Sequence, residues 1–274
     1  MRRERTGMWL RIGCGVLIVG VMLFPLYWMA NASLQAQWAL LDPSPRWLPF
    51  PPLIDGYKSA AGSQWPHIVT SCAVASAAAV LSLAVAAPCA YALVVFRMRW
   101  TTFFILLMLI AQMLPHIVMA NALYAIYAQL GLLDTYYGLI LADSTMGVPF
   151  AILILRAFMA SLPRTLVEAA LCDGLGYWGV FFHIVLPLSR NGLITSGLFC
   201  FLFAWSDFIF ALTLSTRQKI VPITLGIYDF IGTHGTDWNG IMATAVMASI
   251  PPIVLLLFGQ KYITAGLIGG AVKE

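Results

Sequence analysis

The chain has 274 residues, of which 61% are hydrophobic and only 9% are charged, and its formal net charge is +4. Because soluble domains carry about 25% charged residues, this composition excludes an ordinary soluble protein. Four stretches contain no Asp, Glu, Lys or Arg, namely 12–41, 59–96, 100–133 and 238–260. A helix needs about 20 apolar residues to cross the hydrocarbon layer, so the sequence predicts an all-α integral membrane protein.

Six membrane spans are predicted within a single domain, residues 1–274. Their approximate bounds, in chain order, are 9–30, 67–96, 102–127, 138–160, 192–214 and 238–262. The second span is longer than a membrane requires, which indicates that it is tilted or begins before the membrane. Prolines lie at the start of or within spans, where neighbouring helices can satisfy the backbone groups that they free; these are Pro66, Pro88, Pro115 and Pro149.

The first span has two features of a secretory signal peptide, a basic start and an Ala30-Asn31-Ala32 sequence. Its apolar run, 13–30, is longer than the usual signal core, which favours a retained helix. The five cysteines form no C-x-x-C pair. Small buried side chains are therefore favoured over a disulfide or metal site, and we expect this chain to bind no metal and no cofactor.

Basic residues predict the orientation. With both termini in the cytoplasm, eleven cationic residues face inward and four face outward, which satisfies the positive-inside rule. The inward set is Arg2, Arg3, Arg5, Arg11, Arg97, Arg99, Arg156, Arg164, Arg190, Lys261 and Lys273. The outward set is Arg46, Lys58, Arg217 and Lys219. Segment 161–191 is then cytoplasmic, whereas 31–66, 128–137 and 215–237 are outside, in a multi-pass plasma (inner) membrane protein.

The first outer segment, 31–66, is rich in proline and tryptophan. Its prolines argue against a long helix, and tryptophan suits the headgroup layer. Two interpretations stay open, a loop that follows the membrane interface and a docking surface for an outside partner.

Segment 161–191 reads as two helices joined by a glycine turn. Ser161 followed by Pro163 is typical of a helix start. Gly174 and Gly176 predict the helix end, with Glu168 exposed before it. An aromatic-rich second helix, 177–186, should end at Pro187. Large aromatic side chains in water usually mark an interface.

One motif in this segment points to a different function. Residues 174–179 match G-x-G-x-x-G, but the dinucleotide fingerprint requires a preceding strand and an acidic residue about 20 positions later. A helix precedes the motif here, and the residues around 199 are apolar. The sequence also has no G-x-x-x-x-G-K-[ST], so we expect no ATP hydrolysis by this chain.

The pattern Glu168-Ala169-Ala170, Asp173-Gly174, then Ile184 and Leu186-Pro187, resembles the EAA loop of binding-protein-dependent ABC importer permeases. Three further stretches are similar to MalG-like carbohydrate permeases: 24–28 with Ser33-Leu34, 203–207, and 265–273. Departures from the family pattern occur at Leu175, Ser206 and Arg190-Asn191.

The resemblance implies a type I ABC importer permease fold of six transmembrane helices with a cytoplasmic helix-turn-helix coupling segment. It implies a second, homologous permease subunit, two ATPase subunits that bind ATP and magnesium, an extracytoplasmic substrate-binding protein or lipoprotein, surrounding membrane lipid and no nucleic acid. Glu168 would face a basic residue of the ATPase, and the tail 266–274 would reach toward the ATPases. The outer loop 215–237 would approach the binding protein. The ATPase-coupling residues would be Glu168, Ala169, Ala170, Asp173, Gly174, Ile184, Leu186 and Pro187.

Polar side chains inside predicted spans are candidates for the substrate path, because a charge at mid-bilayer costs about 2.5–3.5 kcal/mol on insertion scales. The candidates are Gln112, Asn121, Tyr124, Asp143, Trp205, Ser206 and Asp207. His116 and Tyr127 lie near them, with His116 interpreted as structural. Hydrogen bonding between helices is the alternative role for every one of these residues.

Three alternative functions follow from weaker signals. An ABC permease could carry a polyamine or glycerol phosphate, although an anionic solute would require cations on the outer spans. A stand-alone carrier or channel would favour internal repeats, which we do not find between 1–137 and 138–274. A membrane enzyme would require a catalytic constellation, and no nucleophile–base or metal-ligand spacing is present in the sequence.

Overall fold

The computed structural model describes the backbone of residues 2–96, 99–232 and 235–271, and the side chains of residues 11–96, 99–232 and 235–262. Several expectations therefore lie outside the described residues: the side chains of Arg2, Arg3, Arg5, Arg97 and Lys273, and those of the tail 266–274. Within the described ranges the fold is mostly helical, which confirms the predicted all-α class.

The helices, in chain order, are α1 Arg2–Ser33, α2 Gln37–Leu40, α3 Asp55–Val95, α4 Thr101–Gln112, α5 His116–Leu130, α6 Tyr136–Ala160, α7 Arg164–Cys172, α8 Tyr177–Val180, α9 Leu186–Leu188, α10 Arg190–Trp205, α11 Ile209–Leu214, α12 Ile223–Gly226 and α13 Trp238–Ala271. A π-helical turn, Phe181–Val185, joins α8 to α9, and a 3₁₀ turn, Ile227–Phe230, follows α12. Two short strands, β1 Ile231–Gly232 and β2 Gly235–Thr236, pair antiparallel.

Four described helices are long and apolar enough to cross a membrane, and the number rises to six if each of two bent helix pairs counts as one span. The four are 11–33 of α1, α3, α6 and 238–262 of α13. The bent pairs are α4 with α5, and Tyr177–Leu188 with α10.

Two predicted spans are not continuous helices. The span predicted at 102–127 is bent by 94° between α4 and α5. Pro115 causes this break, since it lacks an N–H and adopts an extended ψ of 133° before α5. The span predicted at 192–214 is interrupted after Trp205, and α11 restarts the helix at Ile209.

The expectation that 31–66 cannot form a long helix is wrong for its last third, because α3 already begins at Asp55. The prolines of this segment cluster at 43–52 and so do not oppose a helix that starts after them. Pro66 lies inside α3, where a proline removes only its own backbone hydrogen bond and locally strains the helix.

The chain divides into two compact units. The first contains the residues up to Trp65 and 227–250. Within this unit, Asn239 at the start of α13 donates from Nδ2 to the backbone oxygens of Ser33 at 3.0 Å and of Gln35 at 2.7 Å. Gly56 of α3 fits against it, because a Cβ there would lie 2.0 Å from Asn239 Oδ1.

The second unit contains 66–226 and the rest of α13 from Pro251. Its core lies where α6 packs along α10. Small residues permit this close approach, as is common between membrane helices. A Cβ on Gly192 of α10 would lie 2.6 Å from Phe158 Cγ of α6, and a Cβ on Gly147 of α6 would lie 3.2 Å from Cys200 Sγ of α10.

Candidate functional site

The coupling segment, defined here as residues 164–188, begins at α7. The predicted cap at Ser161 is wrong: Ser161 ends α6, and its hydroxyl donates to the Phe158 oxygen at 2.7 Å. Pro163 instead occupies the N-cap position of α7 with an extended ψ of 127°. A proline suits this boundary, because it disfavours helical geometry in the residue before it and lacks the N–H that a helix start would leave unpaired.

Gly174 makes the turn after α7. Its φ of +91° lies in a region that favours glycine. The Leu175 N–H donates to the Ala170 oxygen at 3.0 Å, and the Gly174 N–H donates to the Leu171 oxygen at 3.1 Å. This pair of bonds is a Schellman motif, which satisfies carbonyl groups at a helix end. The glycine turn that the sequence predicts is therefore present at Gly174.

The second helical stretch does not end at Pro187 as predicted; it continues to Leu188. The π-helical turn lies just before the proline, where the Leu186 N–H donates to the Phe181 oxygen five residues earlier. The stretch then meets α10 at a bend of 77°. Pro187 thus lies in the last turn, two residues before the Ser189 junction that separates the two helical directions.

The coupling segment has one buried face and one exposed face. Val180, Phe181 and Val185 are buried, and they join a core cluster that contains Tyr91 and Leu155. The Tyr91 hydroxyl also donates to the Tyr177 backbone oxygen at 3.0 Å. These contacts hold the segment against α3 and α6.

The predicted coupling residues divide between these faces. Glu168, Ala169, Asp173, Gly174 and Pro187 are exposed. Ala170 is buried, and the remaining two, Ile184 and Leu186, are half-buried. Three aromatic side chains accompany the exposed set: Tyr177, Trp178 and Phe182, which are 48%, 66% and 55% exposed.

A groove of about 270 Å³ opens beside α7. Arg164 and Glu168 supply charges at this groove, and Met159, Val167 and Leu171 supply apolar walls. The carboxylate of Glu168 therefore stands at the edge of an apolar cleft on the coupling segment.

A second cavity, of about 170 Å³, lies among α4, α5, α6 and the end of α10. We call it the acidic pocket, and its lining residues are Gln112, His116, Asp143, Met146, Phe203, Ser206 and Asp207. Four of the seven predicted path residues thus line one cavity. Two of them are carboxylic acids that come from different parts of the chain.

Asp207 has a structural partner for each carboxylate oxygen. Oδ1 accepts the Phe210 N–H at 3.2 Å, and Oδ2 accepts the Ala211 N–H at 3.0 Å. The side chain thereby caps the first turn of α11. Its backbone oxygen accepts the Thr224 hydroxyl at 2.5 Å, which ties the segment after α11 to this point.

Asp143 differs from Asp207 in its hydrogen bonding, because one of its carboxyl oxygens is unpaired. It is only 5% exposed, and its Oδ1 has no hydrogen-bond partner among the described residues. A buried polar atom without a partner is costly, and such atoms often mark functional positions.

The other three predicted path residues lie elsewhere. Asn121 and Tyr124 are exposed on α5, and they do not line the acidic pocket. Trp205 is 6% exposed and stacks on Phe201, with ring centroids 5.6 Å apart. Tyr127, considered as a further aromatic, is buried.

Three pocket residues were not predicted as path residues: His116, Met146 and Phe203. His116 stacks on Phe210 at 5.9 Å and 12°. Its position four residues after Gln112 was the available signal, since that spacing places both on one helix face. Pro115 weakened this signal, because a proline between the two residues interrupts the helix on which the spacing argument depends. Met146 and Phe203 are apolar and carry no comparable signal in the sequence.

Comparison with known proteins identifies the family. The family described as "Binding-protein-dependent transport system inner membrane component" matches residues 79–269. A probable ABC transporter permease protein, y4oR of Sinorhizobium fredii, is 33% identical over 99% of this chain and 97% of its own length. The diacetylchitobiose uptake system permease protein DasC of Streptomyces coelicolor is 30% identical, with all of both chains covered.

A solved structure supports the same fold. A bacterial ABC transporter involved in the import of the acidic polysaccharide alginate matches with a TM-score of 0.81, covering 96% of this chain and 98% of the matched chain at 20% identity. Together with the family match over residues 79–269 and the near-full-length relatives, this confirms the resemblance carried by Glu168–Pro187. The chain belongs to the binding-protein-dependent transport system inner membrane components, the permeases of ABC importers.

Proposed function

We propose that this chain is one membrane-spanning subunit of an ATP-driven importer of a sugar or sugar derivative. One relative that matches along its whole length is a diacetylchitobiose uptake permease, which supports a saccharide as the solute. The solute would cross by alternating access, with the energy supplied by separate ATPase subunits. ATP and magnesium would bind to those subunits, and this chain would perform no catalysis.

The exposed face of the coupling segment carries this proposal. Tyr177, Trp178 and Phe182 expose large apolar surfaces on the same segment that exposes Glu168 and Asp173. Aromatic anchors surrounded by polar groups are typical of protein interfaces. The buried face packs into the core cluster of α3 and α6, so a push on the segment would be transmitted to membrane helices.

The orientation follows from this assignment. An ATPase lies in the cytoplasm, so the coupling segment, and with it both chain termini, would face inward. The segments between α5 and α6 and between α11 and α13 would then face outward. A substrate-binding protein would deliver the solute to that side, and a second permease subunit would complete the translocation path.

The acidic pocket is our candidate for the part of the path that this chain contributes. It combines hydrogen-bonding side chains with the aromatic residue Phe203, and saccharides are bound by both kinds of side chain. A polyamine or glycerol phosphate stays as the alternative solute.

Co-purification tests the proposed assembly. We expect the chain, coexpressed with ATPase subunits from its own genome, to retain them in detergent, and Trp178→Ala to reduce the retained amount several-fold. Tyr137→Ala is the control, because Tyr137 is also a well exposed aromatic residue, 75% against 66% for Trp178, and lies at the start of α6, away from the coupling segment that follows the end of α6. Isolation without any ATPase, together with ion conductance in liposomes, would favour a channel and contradict the proposal.

A further inference from the structure

The segment between α2 and α3 exposes a dense group of large apolar side chains. Residues 47–54, which we call the apolar strap, read Trp-Leu-Pro-Phe-Pro-Pro-Leu-Ile and contain no charged residue. Trp47, Leu48, Phe50 and Ile54 are 60%, 72%, 84% and 56% exposed. A contiguous exposed group of this kind marks a contact surface.

Hydrogen bonds hold the backbone of the strap at the end of α1. Asn31 Nδ2 and Gln35 Nε2 donate to the backbone oxygen of Arg46, at 2.8 Å and 2.9 Å. The Leu53 N–H donates to the Leu34 oxygen at 2.9 Å. The strap is therefore tied at both of its ends to the last residues of α1 and those that follow them.

The Trp47 side chain reaches further along α1. Its ring centroid lies 5.8 Å from that of Trp28 and 6.2 Å from that of Phe24, and its backbone oxygen accepts the Tyr27 hydroxyl. Phe24 precedes Ser33, the end of α1, by nine residues, or about 14 Å at 1.5 Å per residue. Since α1 is long and apolar enough to cross a membrane, the ring points from the helix end toward the hydrocarbon layer.

The backbone chemistry of the strap suits the edge of a bilayer. Irregular backbone is costly away from water, because its N–H groups lose their hydrogen bonds. Three of the eight strap residues are prolines, which have no N–H, and the N–H of Leu53 is bonded. Tryptophan is enriched at the headgroup level, where an amphipathic ring has both apolar and polar surroundings.

We propose that the apolar strap is a membrane anchor that lies in the leaflet at the end of α1, with Trp47, Leu48 and Phe50 inserted among the lipid acyl chains. Arg46, directly before the strap, lies over the Trp38 ring at 4.5 Å and would meet the lipid phosphates. This choice resolves the two interpretations of segment 31–66 in favour of a loop that follows the membrane interface.

Two other occupants fit the observations less well. A soluble binding protein docks beyond the headgroups, whereas the Trp47 ring reaches back along the membrane helix. A partner subunit would be expected to meet an apolar centre with a polar rim. The strap offers no hydrogen-bonding side chain besides the Trp47 indole.

Nitroxide accessibility distinguishes these occupants. Leu48→Cys would carry a spin label in a chain whose five native cysteines are replaced by alanine, reconstituted in liposomes with the subunits that copurify with it. Oxygen concentrates in the acyl region and a neutral nickel chelate in water, so the ratio of their collision rates reports depth. Phospholipids labelled at known depths calibrate the ratio in the same liposomes.

Ser59→Cys is the control. Ser59 is exposed near the start of α3, beside an ion pair of Lys58 and Asp55 whose side chains are 68% and 74% exposed, as expected in water. We expect the ratio of oxygen to nickel collisions to be several-fold higher at Leu48→Cys than at Ser59→Cys, and equal to that of a lipid labelled just below the headgroup.

Low collision rates with both reagents at Leu48→Cys would show that another protein subunit covers the strap. A nickel rate equal to that at Ser59→Cys would show a strap in water. Either result would overturn the proposal. The measurement requires neither ATP nor a solute, and it can be made on the chain alone if no ATPase copurifies, so this proposal and the proposed function fail separately.

Discussion

Asp134 and Thr216 join the segment between α5 and α6 to the segment after α11: the Thr216 hydroxyl donates to Asp134 Oδ2 at 2.7 Å. The Arg217 N–H donates to Oδ1, also at 2.7 Å, and the Asp134 N–H donates to the Leu214 oxygen at 3.0 Å. Slight burial alone would raise the pKa of Asp134, but the hydrogen bonds from Thr216 and Arg217 hold that pKa below its ordinary value. The ionised carboxylate therefore stabilises the segment after α11.

Asp134→Ala should loosen this segment. We expect faster amide hydrogen exchange at 215–219, with a smaller increase for Asp134→Asn, since asparagine tolerates the φ of +59° and keeps one acceptor. In the wild type the carboxylate's contribution is present above its unfolded pKa of about 3.9 and is lost as the pH falls through the lowered folded value. Unchanged exchange in Asp134→Ala would refute the role of these bonds.

Asp207→Ala should lower both stability and transport. It leaves two N–H groups at the start of α11 without acceptors, and loss of a helix cap costs about 1 kcal/mol. Asp207→Ser separates the two roles, because serine can still cap a helix but has no charge. We expect Ser to restore the thermal midpoint of the purified protein but not the apparent solute affinity of the reconstituted complex. Recovery of both quantities would restrict Asp207 to capping.

Gly192→Ala should weaken the packing of α6 against α10. The new Cβ would lie 2.6 Å from Phe158 Cγ, and overpacking of this kind costs about 1–3 kcal/mol. Gly62→Ala is the control, since Gly62 faces open space within α3. A thermal midpoint for Gly192→Ala equal to that of Gly62→Ala would contradict the close approach of the two helices.

Much of the fold could be predicted because apolar length alone indicates a membrane helix. The predicted spans at 9–30 and 138–160 lie within α1 and α6. The breaks were not predicted, because hydropathy continues across Pro115 and across Ser206–Phe208. At these two positions the local backbone hydrogen bonds, and not the hydropathy, determine whether the helix continues. The early start of α3 was missed for a related reason: the clustered prolines at 43–52 dominated the interpretation of the whole segment.

The glycine turn of the coupling segment was predictable from the sequence, whereas the lining of the acidic pocket was predictable only in part. The turn requires a φ of +91°, which favours glycine, so the turn can be recognised from the glycine in the sequence. Whether Asn121 or Met146 faces a cavity depends instead on how α5 and α6 pack, and an apolar side chain gives no sign of it. Asp143 and Asp207 were found because charges are rare in membrane spans.

The coupling ratio of Gly174→Asp tests most directly whether residues 164–188 transmit force from an ATPase. A Cβ at Gly174 meets no atom within 4 Å, so the change acts through the strained φ of +91° and the added charge. Gly176→Ala is the matched control, with equal space and an ordinary φ of −73°. In the reconstituted complex we predict loss of solute uptake with continued, uncoupled ATP hydrolysis for Gly174→Asp, and a wild-type ratio of solute imported to ATP hydrolysed for Gly176→Ala. A wild-type ratio in Gly174→Asp, with the protein in the membrane at its usual level, would contradict the coupling role.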